Sequence, residues 1–409
     1  MLLLLGTAVL LGMCLWFTAT AVSAELEVHW GLTPAQTGWL TTIVQLGFVA
    51  GTTIAAILNL ADVVPARRYF ATSALLAAVA NAGLLSTDSY TVALFLRGFT
   101  GFFLAGVYPP AMKMVATWFA PAGGSTVTRR GLAIGVVVGG VTVGKALPYL
   151  LHAFESLTYH SILVATSAAA VLAAVMVALT YHDGPHAFAR RPFEWGLVGA
   201  VLRHRETRLA IGGYLGHMWE LYACWALLAS FFYEFFEGRG ATAMQAGTQS
   251  GLVAFGAIAM GGLGSVMAGQ WADKLGRERI TIWSMVVSAI CALIIGWLTF
   301  VSPWILVSLA LIWGFAVVAD SAQFSALVTE VAPPHAVGTA LTLQTSLGFL
   351  LTAFSIWLAV EVSGRVGWGP AFSMLAVGPV LGIRAMLALI NSKLQVVEPS
   401  EIAIGDNRR

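Results

Sequence analysis

The stretch Gly269-Gln270-Trp271-Ala272-Asp273-Lys274-Leu275-Gly276-Arg277-Glu278-Arg279 sits between two long apolar runs. A weaker copy lies upstream, Leu58-Asn59-Leu60-Ala61-Asp62-Val63-Val64-Pro65-Ala66-Arg67-Arg68, with its aspartate 211 residues before Asp273. Further landmarks repeat at a similar interval. Trp118-Phe119-Ala120-Pro121 is matched by Glu330-Val331-Ala332-Pro333, 212 residues on, and Leu11-Gly12 with Trp16 is matched by Leu215-Gly216 with Trp219. Such pairs at near-constant spacing indicate an internal duplication.

Between the landmarks the chain is apolar. Of 409 residues 58% are hydrophobic and 10% charged, and mean hydropathy is +0.84. Soluble domains carry roughly 25% charged residues, so a soluble enzyme, a nucleic-acid binder and a disordered chain are excluded. The net charge of +2 suggests no polyanionic partner. Twelve apolar runs, from 2–23 to 367–390, are each long enough to cross a bilayer core of about 30 Å. The expected fold is therefore all-α: a polytopic membrane protein with twelve transmembrane helices in two pseudo-symmetric six-helix bundles. A transmembrane barrel would show short alternating segments instead. Ala21-Val22-Ser23-Ala24 resembles a signal-cleavage site, but the run before it lacks a basic start and is needed for the repeat. The cysteines Cys14, Cys224 and Cys291 lie scattered within apolar runs, with no metal or disulfide spacing.

Of the 21 Lys and Arg residues, 17 fall at one set of ends and only Arg239 and Arg365 at the other. This asymmetry places both termini in the cytoplasm, in what is expected to be the cell inner membrane. The longest connection carries Phe193, Leu197, Val198 and Val201 at helical spacing with basic flanks, the pattern of a short helix on the membrane face. The expected units are residues 1–181, a linker at 182–208, a second bundle at 209–391 and a tail at 392–409. A six-plus-six duplication is the layout of secondary transporters, with sites near the midplane between the halves.

On these residues the chain resembles the major facilitator superfamily along essentially all twelve spans. Gly269-x-x-x-Asp273-Lys274-x-Gly276-Arg277-x-Arg279 closely matches its cytoplasmic loop signature, and the copy around Asp62 is degraded by Leu58 and Pro65. The resemblance implies that Asp62, Arg67, Asp273 and Arg277 form a cytoplasmic gate. A carboxylate gains from a helix N-terminus, and topological charge on a solvated turn is the plain alternative. Arg97 with Gly101 and Gly106 follows a second family pattern in span four. Gly135-x-x-x-Gly139-Gly140 follows the antiporter pattern in span five without its proline. The nitrate/nitrite porters and the oxalate and monocarboxylate porters rely on arginines absent here from spans two and eight. The sugar porters' loop signatures are missing too.

Ionisable groups in hydrocarbon are costly and mark functional candidates. Arg97 lies about 9 Å inside span four and Lys145 about 12 Å inside span five, at 1.5 Å per residue. Each is a candidate to bind an anionic group, with snorkelling or a solvated lumen as the alternative. His217 and Glu220 share a face of span seven, three residues apart. Asp320 lies in the polar stripe Ala319-Asp320-Ser321-Ala322-Gln323-Phe324-Ser325 of span ten, 212 residues after Tyr108. Asp320, Glu220 and His217 are the candidates for proton coupling, against constitutive bonding or packing. Tyr108-Pro109-Pro110 frees backbone carbonyls in span four, which suits a cavity wall or a plain bend. Tyr108, Gln45 and Gln323 join Arg97 and Lys145 as candidate substrate-binding residues. Trp16, Trp219, Tyr222 and Trp225 supply aromatic surface.

The expected function is proton-coupled transport of a small molecule, leaning to a small organic anion, by alternating access. The rivals are export of amphipathic or cationic compounds in exchange for protons, and a non-transporting sensor of the same fold. No catalytic residues, metal site or cofactor are expected, so the chain reads as a non-enzyme. The expected partners are the substrate, protons and the lipid bilayer. Nucleic acid is excluded, and the chain is expected to be monomeric.

Overall fold

A computed structural model describes residues 1–118, 130–154, 156–186 and 193–405 of the chain. Arg129, Arg190, Arg191, Arg408 and Arg409, used above for orientation, lie outside the described residues, as do the side chains of Asp62 and Asp273. Among the described residues the regular structure is entirely helical. In lipid every backbone N–H and C=O must be satisfied within the protein, and helices achieve this along each span. Among the described residues, ten helices are long and apolar enough to cross a membrane. The two that fall short of that measure are spans one and seven. Span seven, Arg205–Glu237, has ample length at 33 residues but carries Glu220, His217 and charged ends. Span one is interrupted, running as Leu2–Met13, Thr18–Ala21 and Ser23–Trp30.

Spans four and ten are also broken, at equivalent points of the duplication. Span four runs as Tyr90–Leu104 and then Tyr108–Ala116, with Pro109 and Pro110 in the first turn of the second piece. Proline lacks the N–H that would continue the upper helix. Span ten runs as Pro303–Ala319 and Ser321–Val331, with Asp320 at the joint. The Tyr108 break therefore recurs at Asp320 although span ten has no proline there. Arg97 and Tyr108 therefore sit on separate helices.

Within each half the helices approach to backbone contact. A Cβ on Gly101 would collide with the Val44 carbonyl of span two, and one on Gly314 with the Ala257 carbonyl of span eight. Only glycine fits such a crossing. The halves meet along two helix pairs. Span five, Arg130–His152, lies against span eight, Ala243–Leu275, where Gly139 faces Gly262. Span two, Pro34–Ile57, lies against span eleven, Val337–Val366. There Gly38 meets Val360 near one end, Phe48 meets Phe349 near the middle, and Thr53 reaches Ser346 toward the other end at 3.4 Å. The structure is thus closed along the interface. A nine-residue helix, Trp195–Arg203, occupies the connection between the halves, and the backbone N–H of Glu194 donates to Thr339 at the start of span eleven.

Candidate central site

Lys145 emerges from span five at the interface between the halves and is 2% exposed. Its Nζ lies 3.8 Å from the centroid of the Trp16 ring, 4.4 Å from Tyr222, 5.7 Å from Trp225 and 5.9 Å from Phe349. It also donates a hydrogen bond to the Tyr222 hydroxyl. Among the described residues it faces no carboxylate. Ring faces attract a cation through their quadrupoles, by about 2 kcal/mol when desolvated. The cage is built from both halves, with Trp16 from span one, Tyr222 and Trp225 from span seven, and Phe349 from span eleven.

The same rings close the interface. Trp16 meets Tyr222 at 5.6 Å and Phe349 at 5.7 Å, Phe48 meets Phe349 at 4.4 Å, and Phe17 meets Trp225 at 6.2 Å. Beside them, the Gln45 side-chain carbonyl accepts from Thr352 across the interface at 3.4 Å. The Gln45 amide N–H and the indole N–H groups of Trp16 and Trp225 are buried without acceptors. A second amide, Gln344, is also buried and unpartnered, five residues before Phe349 on span eleven. Buried polar groups are nearly always bonded, so a cluster of orphans calls for an explanation.

Arg97 lies elsewhere. It is fully buried within the first half, and its guanidinium donates to the carbonyls of Leu15, Trp16 and Leu40 and to the side-chain carbonyl of Asn81, at 2.5 to 3.4 Å. The Asn81 amide in turn donates to Ser167 at 3.0 Å. The cause is the break in span one. Carbonyls past Met13 lose their helical partners, and a cation at a helix C-terminus is favoured. Arg97 was expected to face a cavity, and it instead caps this break.

The acids of the second half form two adjacent networks. Glu220 accepts from Ser288 of span nine at 2.7 Å and from the Trp313 indole of span ten at 2.6 Å. His217 Nδ1 lies 2.8 Å from Asp320, and its Nε2 lies 3.0 Å from the Ser321 hydroxyl. His217 was read as a companion of Glu220, but its partner is Asp320. Residues three apart on a helix differ by about 60° and a turn in depth, so they meet different neighbours. Asp320, His217 and Glu220 are each buried within the second half, and none touches Arg97 or Lys145. Tyr108 is half-buried at the start of its helix, with no hydrogen bond among the described residues.

Gln323 does not join the centre. Its carbonyl accepts from Arg277 at 2.8 Å, and Glu330, on the same helix, accepts from Arg277 at 2.7 Å. The long arginine reaches along one helix from the loop after span eight and takes the amide that was assigned to substrate. Arg67 is exposed at the start of span three. Trp219 also leaves the centre, donating to the Met374 carbonyl at 3.2 Å beside span twelve. Sequence reasoning missed Asn81, Ser288, Trp313, Phe48 and Phe349. Asn81 had a signal, a lone amide in the apolar third span, whereas the phenylalanines look like any other packing residue.

A search of curated protein sequences returns no match. Among solved structures, a mutant form of the nucleoside transporter NupG matches with a TM-score of 0.69. That match covers 95% of this chain and 99% of that one at 15% identity, a likeness of fold alone. The family model described as Major Facilitator Superfamily matches residues 4–356. The chain is a multi-pass membrane protein whose fold and family point to a transporter, and it belongs to the Major Facilitator Superfamily.

Proposed function

We propose that the chain is a secondary transporter for a small organic anion, held between the halves at Lys145 and coupled to protons through Glu220, His217 and Asp320. One observation carries the reading. The central cage holds an ammonium that faces no carboxylate, beside three buried N–H donors that have no acceptor. An anion rich in acceptor oxygens satisfies all of them when the halves separate to admit it. Export of cations is disfavoured by the same cage, because Glu220 is hydrogen-bonded inside the second half and Asp320 lies against His217 there.

The transport cycle moves residues 1–181 against residues 209–391 about the 182–208 linker, with residues 392–409 as a cytoplasmic tail. Asp62, Arg67, Asp273 and Arg277 lie at the cytoplasmic gate, where Arg277 ties the loop after span eight to the inner piece of span ten. Both termini face the cytoplasm, the membrane is the cell inner membrane, and a monomer suffices. Tyr108 and Gln45 complete the first half's face of the site.

A second reading is a neutral planar solute. The aromatic walls favour it, and one similar solved structure is that of a nucleoside transporter. The deciding experiment is uptake into proteoliposomes with an imposed inward-acid pH gradient, comparing carboxylates with nucleosides and organic cations. Saturable carboxylate flux that Lys145→Gln abolishes supports the proposal. Nucleoside or cation flux unaffected by that substitution overturns it.

A further inference from the structure

Taking the central site as an organic-anion site, we infer that its cargo carries one negative charge on a planar apolar body. The charge count follows from what each buried cation already holds. Arg97 is committed to the Leu15, Trp16 and Leu40 carbonyls and to Asn81 within the first half. Capping a broken helix cannot be surrendered to a transient ligand without exposing those carbonyls to hydrocarbon. Among the described residues, Lys145 is the buried cation that remains at the interface. A dianion placed there pairs one charge and leaves the other buried and unmatched, which low-dielectric surroundings penalise heavily. The cation here is a lysine of span five, so this specificity does not need the span-eight arginine of other porters.

The body of the cargo follows from what holds the halves together. Rings meet across the centre at Lys145, Trp16 with Tyr222 and Phe349, Phe48 with Phe349, and Phe17 with Trp225, alongside hydrogen bonds from Lys145 to the Tyr222 hydroxyl, from Tyr149 to the Trp225 carbonyl and from Thr352 to Gln45. Admitting any cargo separates these pairs. A planar ring inserted between them gives each wall an aromatic surface in place of the one it lost. A short aliphatic acid leaves the rings facing water or a void. The orphan donors then read the carboxylate, whose two oxygens accept about four hydrogen bonds. They are supplied by Lys145, Gln45, Trp16 and Trp225.

The test measures quenching of tryptophan fluorescence in the purified full-length protein, by benzoate, benzamide, phthalate, acetate and uridine. Benzoate should bind saturably. Acetate and phthalate should bind at least about tenfold more weakly, and benzamide about a hundredfold more weakly because it forfeits a buried charge pair. Lys145→Gln should bring benzoate to the level of benzamide. The wild-type panel decides even if that variant fails to fold. Phthalate or acetate binding as tightly as benzoate overturns the inference and leaves the anion reading standing. Benzamide or uridine binding as tightly as benzoate overturns both. So does failure of every anion to bind a protein shown to be folded.

Discussion

The two halves descend from one duplicated pattern, yet they bury opposite charges by opposite means. Among the described residues of the first half, one of the two buried cations, Arg97, is surrounded by backbone carbonyls and an amide, with no acid beside it. In the second half two acids are surrounded by a histidine, an indole and hydroxyls, with neither cation of the first half beside them. The difference traces to span one. Its break creates orphan carbonyls that need a donor, whereas the matching span seven is a continuous 33-residue helix that needs none. The lesson is that a buried charge can be held in one repeat by groups that cannot titrate and in the other by groups that can. What its neighbours can exchange decides between the two. A backbone carbonyl cannot change protonation, whereas histidine and carboxylate can.

Substitutions can break this comparison. The largest effect belongs to Arg97→Leu. Removing the guanidinium strands the Leu15 and Trp16 carbonyls, so thermal unfolding in detergent should show a loss of about 3 kcal/mol or more. A variant that folds normally yet cannot bind cargo would return Arg97 to the substrate site. Next comes Lys145→Met, which should abolish transport while leaving the unfolding temperature unchanged or raised, since an unpaired desolvated cation costs stability. Uptake at the wild-type rate by this protein would move the site elsewhere.

Asp320→Asn and Glu220→Gln should act more narrowly. A proton gradient of one pH unit supplies about 1.4 kcal/mol per proton, or tenfold accumulation. Both variants should lose that accumulation and keep substrate exchange at zero gradient. If pH-driven accumulation persists in both, the second half's acids are as architectural as Arg97. The smallest effect is expected of Arg277→Gln. Its contacts to Gln323 and Glu330 are partly solvated, so they contribute at most about 1 kcal/mol. The reactivity of cysteine probes on the cytoplasmic side should therefore rise by no more than about fivefold. No change would separate Arg277 from the gate.

The architecture was legible because it depends on composition and spacing. Apolar run length sets the spans, and the interval between Asp62 and Asp273 exposes the repeat. The burial of Lys145 stands out in the sequence as well, as an ammonium amid apolar residues. Partnerships were harder to read. Arg97 carries the same charge as Lys145 at similar depth, and only the broken geometry of span one separates their roles. Nothing in Cys14-Leu15-Trp16-Phe17 signals a break, because no proline or glycine lies within it. Gln323 was misplaced because depth along a helix says nothing of how far an arginine reaches from the loop. Phe48 and Phe349 are ordinary residues made important by the face they occupy.

The break in span one also bears on how the protein is made. Its carbonyls at Leu15 and Trp16 await a guanidinium that lies 82 and 81 residues further along the chain. At about 5–20 residues per second, the ribosome takes several seconds to deliver it. Until then the first span cannot rest fully satisfied in hydrocarbon, whatever its apolarity. Spans one to four are therefore expected to settle in the membrane as a group, locked by the arrival of Arg97 rather than inserted one by one.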